Sequence, residues 1–160
     1  MITQSKRGVS MKDIFKFTGL LSVGLLVSII IYPIFHEIGH MIAVILTGGT
    51  VVDINLFPLP HVLCHMDANA FHVVVIGLSG MFLPLAISVV IPSKYFFTWY
   101  AGFILKGICL CSFIISSVAT LCYIAGHPLE NEDISKVLGA YPSDSWHFLV
   151  LFLSAIGLIV

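Results

Sequence analysis

The run from Phe17 to Leu46 offers thirty mostly apolar positions, broken only by the polar cluster His36 to His40. A helical membrane span needs about 20 such residues, so this run is too long for one straight crossing. Pro33 removes a backbone donor and predicts a kink near Ile29 to Tyr32, which places the polar cluster on the second half of a bent helix. Gly48-Gly49 then supplies a helix stop.

Composition makes lipid the expected solvent. Of 160 residues, 59% are hydrophobic and only 9% are charged, against about 25% charged in an ordinary soluble domain. A soluble domain of this size buries only about 70% of the surface its unfolded chain exposes, too little to hide so much apolar area. A single membrane-embedded domain over residues 17–160 is expected, preceded by a basic segment at 1–16. Lys6, Arg7, Lys12 and Lys16 precede the first apolar run, and residues 17–93 carry no Lys or Arg. The positive-inside rule therefore predicts a cytoplasmic N-terminus. A signal peptide has an apolar core of only about 7–15 residues, so the run reads as retained. No basic stripe with interleaved aromatics points to nucleic acid. Cys64, Cys109, Cys111 and Cys122 imply neither a disulfide framework nor a CxxC site.

Along the chain, Val51 to Phe57 alternates, with Val52, Ile54 and Leu56 on one face and Asp53 and Asn55 on the other, as in a short strand ended by Pro58 and Pro60. Residues 59–70 read as a loop. Two further spans are predicted at about Phe71–Ile91 and Phe96–Ile124. In the first, Gly77, Ser79 and Gly80 form a small-residue surface that admits another backbone. In the second, Lys106 must snorkel or face the interior. Residues 125–145 are polar, and Trp146–Val160 is short for a full crossing. The expected fold is an all-α, multi-pass bundle of about four transmembrane helices in the cell membrane, with a short β-strand or hairpin after the first helix.

In a helix, His36 and His40 lie one turn apart on one face, so both imidazoles can reach a single metal ion. Glu37 is the neighbour able to take a proton from a water activated there and to pass it to a leaving amine. Two His and one Glu within a run of Ile, Leu, Val and Phe are costly unless paired or metal-bound, which makes a zinc site the expected role. A catalytic zinc takes three protein ligands. The third is sought among Asp53, His61, His65, Asp67, His72, His127, Glu130, Glu132, Asp133 and Asp144. Asp133 is preferred, because it precedes Ile134, Val137 and Leu138 at helical spacing and so falls at a helix start.

The run Phe35-His36-Glu37-Ile38-Gly39-His40, with the Gly-Gly turn, short strand, Ser-Gly span and late acid that follow, resembles the site-2 protease family of intramembrane zinc metalloproteases. The resemblance implies zinc held by His36, His40 and Asp133, with Glu37 as catalytic base. It also implies cleavage of a membrane-tethered protein or peptide substrate in or near the bilayer. Asp133 is followed by Ile134 where that family usually has Gly, so Glu130 and Glu132 remain alternatives. Family precedent puts the centre nearer the cytosol, whereas the basic N-terminus sends the motif helix outward, and sidedness stays open between the two.

Secondary signals are weaker. The strand could hold an extended peptide by its edge or merely plug the bundle. His61, Cys64 and His65 could bind a second metal, and His127 could orient the third ligand. His72 and His147 read as interfacial, and Trp146 as an aromatic-belt anchor. Two non-proteolytic alternatives are a membrane metal-binding or transport protein and an inactive protease-like scaffold.

Overall fold

The computed structural model describes residues 10–58, 60–65, 69–92, 94–129, 133–140 and 144–157; within these, the side chains of Ala70, Asp133, Lys136, Ala140 and 144–146 are not described. The first apolar run forms one continuous helical rod of 36 residues, Met11–Leu46. At about 1.5 Å per residue it is about 54 Å long, well beyond the roughly 30 Å hydrocarbon core.

The rod has three parts: α1 (Met11–Leu26), a π-helical turn (Val27–Ile31) and α2 (Tyr32–Leu46). Pro33 explains the wide turn. Its ring cannot donate to the carbonyl four residues back and crowds it, and widening the preceding turn moves that carbonyl aside. The Tyr32 amide accordingly bonds the Val27 carbonyl, five residues back. The expected irregularity at 29–32 is therefore a π turn within an unbroken rod. Ser10 caps α1, its hydroxyl accepting from the Lys12 amide, so Lys12 and Lys16 lie on the helix.

After the glycine stop, where Gly48 has φ 84°, β1 (Thr50–Asn55) pairs antiparallel with β2 (His61–His65). Residues 61–65 are thus strand, where the sequence reads as loop. A bulge between Val51 and Asp53 takes Val52 out of register and leaves Asp53 opposite Leu63 and Asn55 opposite His61. The face with Asp53 and Asn55 therefore also carries His61 and His65, because directly opposed residues share a face.

Next come α3 (Ala70–Val90), capped by the Asn69 side chain on the His72 amide, α4 (Phe96–Ile124), α5 (Asp133–Ala140) and α6 (Asp144–Gly157). The rod up to α2, α3 and α4 are long and apolar enough to cross a membrane, while the apolar part of α6 is shorter. Their outer faces expose large apolar side chains such as Phe17, Leu46, Val90, Phe103 and Leu121. That surface suits a membrane-embedded helical bundle and would be costly in water.

The core lies between α3, α4, α5 and α6. Leu78, Met81 and Leu85 of α3 meet Phe113 of α4, Ile134, Val137 and Leu138 of α5, and Val150 of α6. Phe82 and Phe113 pack edge to face at 5.1 Å. Small residues set the closest approaches: a Cβ on Gly77 would strike Val137 of α5, and one on Gly157 would strike Phe113. The buried Ser116 and Ser154 hydroxyls lie 2.8 Å apart across the α4–α6 contact. Cys109 is buried, Cys111 exposed and Cys122 intermediate, all as free thiols.

Candidate functional site

His36 and His40 project from successive turns of α2 toward α3. Their Nε2 atoms lie 3.1 Å apart, with the rings edge to face at 4.6 Å. Two nitrogens held at about 2.0–2.1 Å on a tetrahedral zinc stand about 3.3 Å apart, so the pair is spaced as such an ion requires. The Nδ1 of His40 is 2.6 Å from the Ile76 carbonyl of α3. A carbonyl only accepts, so Nδ1 carries the proton and the neutral ring keeps its Nε2 lone pair for a ligand.

The wall opposite the pair is bare backbone. A Cβ on Gly80 would lie 2.6 Å from His40 Nε2 and 2.8 Å from His36 Cε1, and a Cβ on Gly39 would strike the Ser79 carbonyl and stand 3.0 Å from Gly80 Cα. Glycine at both positions is what lets α2 and α3 approach closely enough to enclose two imidazoles. The small-residue surface at Gly77, Ser79 and Gly80 thus receives the motif helix itself.

A cavity of about 210 Å³ opens beside His36, lined by Tyr32, Gly77, Met81, Ser112, Ile115, Ser116 and Ile134. That volume holds several waters. The Tyr32 hydroxyl, one turn before His36, is 2.6 Å from the Ser112 hydroxyl, and its ring centroid is 5.7 Å from that of His36. Sequence reasoning passed over Tyr32; its place four residues before His36, on the same face, was the available signal. The Ile76 carbonyl could not have been found from sequence, since any residue type supplies one.

Glu37 is half-buried on α2. Asp133 is the first residue of α5, and its neighbour Ile134 lines the cavity at His36; the Asp133 side chain lies outside the described residues, as do Glu130, Glu132 and Asp67. Among the described residues no cluster of three or more His, Cys, Asp or Glu is gathered. Asp53, His61, His65 and His127 are exposed, and His72 is half-buried at the start of α3.

The His61, Cys64, His65 group does not converge as a second metal site. Alternation puts Cys64 on the face opposite the two histidines, and four residues of strand separate those by about 13 Å. His147 is 7% exposed and packs edge to face on Tyr123 at 5.1 Å, buried inside the bundle near the start of α6. The side chain of Trp146, read as a belt anchor, lies outside the described residues. Lys106 is half-buried in a groove with Ser88, Thr98 and Trp99.

Compared with protein-family models, with characterised proteins and with solved structures, the chain matches none.

Proposed function

We propose that the chain is a zinc-dependent, multi-pass intramembrane endopeptidase of the cell membrane that hydrolyses a peptide bond in or near the transmembrane segment of a membrane-tethered substrate. The observation that carries this reading is the 3.1 Å separation of the His36 and His40 Nε2 atoms on a helix whose sequence places Glu37 between them. His36 and His40 would hold the metal through Nε2, with Asp133 as third ligand. Zinc, when bound, supplies a Lewis acid that polarises the scissile carbonyl and acidifies water.

The chain's own groups do the rest. The Glu37 carboxylate accepts a proton from the attacking water and returns it to the departing amine nitrogen. The Ile76 carbonyl holds the His40 ring in one tautomer. The cavity beside His36 admits water to a centre otherwise walled by apolar helices. These roles agree with the resemblance to site-2 proteases carried by residues 35–40.

The test is zinc content of the detergent-solubilised protein, wild type beside His36→Ala and Asp133→Ala. About one zinc per chain, lost in both variants, supports the ligand set. Loss in the His36 variant alone moves the third ligand to Glu130 or Glu132 or to a histidine. Absence of zinc from wild type after adding it back overturns the proposal.

A further inference from the structure

The helices give the bundle two distinct ends. The rod from α1 to α2 runs parallel to α4: a Cβ on Gly24 would sit 3.5 Å from the Tyr100 hydroxyl, and Tyr32 bonds Ser112. The α3 helix runs against both, since Gly39 abuts Ser79 and His40 reaches back to Ile76. One end therefore gathers the start of α1, the α3–α4 turn and the start of α4, where Lys16 and Leu20 share a cavity with Phe96 and Phe97. The hairpin lies at the opposite end, with the last turn of α4 and the first turns of α3 and α6; there His147 packs on Tyr123.

Charge divides along the same axis. Lys12, Lys16 and Lys94 lie at the first end, which also holds Tyr95, Trp99 and Tyr100; Lys6 and Arg7 precede it in the sequence, and Asp13 is the one acid in residues 1–16. In the sequence, Asp53 lies in the hairpin at the opposite end, and Asp67, Glu130, Glu132 and Asp144 fall in the stretches that lead into α3, α5 and α6, with no Lys or Arg between residues 47 and 72 or between 125 and 135. Flanking cations within about 15–20 residues of a span fix orientation, and aromatic residues mark the interface. The cations put the first end in the cytoplasm, and the aromatics mark it as an interface.

The histidine pair is far from that end. At about 1.5 Å per residue, His36 stands roughly 30 Å along the rod from Lys16, whereas His40 is roughly 12 Å from Gly48 at the hairpin end. The α5 helix, which abuts Gly77 through Val137 and brings Ile134 to the cavity, enters from the hairpin end too.

We infer that the His36–His40 centre opens to the non-cytoplasmic side, and that its substrate is a membrane-tethered peptide whose cleavable segment reaches the outer half of the bilayer. The sidedness rests on the reading of the helices as membrane spans, and the substrate class on the proposed peptidase activity. Water, zinc and the released fragment would all exchange with the outer compartment.

Cys64 is exposed on β2 and serves as a built-in probe. Intact cells making the full chain are treated with a small membrane-impermeant maleimide, before and after permeabilisation. Three forms are compared: wild type, Cys64→Ala, and Ser10→Cys in the Cys64→Ala background. The expected result is labelling of wild type in intact cells, its loss in Cys64→Ala, and labelling at residue 10 only after permeabilisation. Protection of Cys64 until permeabilisation, or labelling of residue 10 in intact cells, overturns the inference. Labelling of both positions in detergent shows that each thiol is accessible to the reagent. The readout is independent of hydrolysis, so failure here leaves the peptidase reading standing, and loss of the peptidase reading leaves the sidedness standing.

Discussion

Gly80 offers the sharpest perturbation of the centre. In Gly80→Ala the added methyl would lie 2.6 Å from His40 Nε2 and 2.8 Å from both Cε1 atoms, where ordinary contact begins at 3.4 Å. His40 must therefore withdraw by about 0.8 Å. A metal site tolerates about 0.2 Å in its ligand distances, so the displacement exceeds the tolerance about fourfold. The ring moves more easily than backbone does, at about 0.5–1.5 kcal/mol for an off-rotamer torsion. The fold should survive while zinc affinity falls by about 10–100-fold, equivalent to about 1.4–2.7 kcal/mol.

Gly39→Ala is the contrasting control. Its methyl meets the Ser79 carbonyl and the Gly80 Cα, which are backbone and cannot rotate away, so α2 and α3 must part. That overpacking should cost about 1–3 kcal/mol or more of stability as well as zinc. Zinc titration against a competing chelator, paired with thermal unfolding in the same detergent, separates the two. Wild-type zinc affinity in Gly80→Ala would refute the assignment of the His36 and His40 Nε2 atoms as zinc ligands.

Glu37→Gln should retain zinc and lose at least about 100-fold in peptide hydrolysis, the usual worth of a positioned general base; a transporter or scaffold would be little affected, which the same cleavage and zinc measurements decide. Ser116→Ala and Ser154→Ala should each destabilise by about 0.6–2 kcal/mol by leaving one buried hydroxyl without its mate, and the double variant should recover part of that loss, read as a coupling energy from unfolding of the four forms. Tyr32→Phe breaks the 2.6 Å bond to Ser112 and should cost about 0.5–1.5 kcal/mol, with zinc stoichiometry unchanged; loss of zinc would mean that the hydroxyl also holds the centre together.

What the sequence by itself determined is what depends on a residue and its near neighbours. Lipid-compatible runs are a matter of length and composition, so the spans at Phe71–Ile91 and Phe96–Ile124 correspond closely to α3 and α4. The proline irregularity and the helical start at Asp133 are local too, and the i, i+4 spacing alone puts His36 and His40 on one face. Tertiary structure decided everything that needs a second element. Residues 61–65 carry no decisive strand signal and become one only by pairing with β1, whose bulge at Val52 then sets which side chains share a face. His147 is buried because α6 lies along α4, and its surroundings, not its own polarity, fix that. The closure of the histidine pair needs the Ile76 carbonyl and the bare backbone at Gly80, and both belong to a helix some forty residues further along the chain. A spacing rule can align two imidazoles on a helix; only another helix at contact distance can hold one in a single tautomer and leave the space between them.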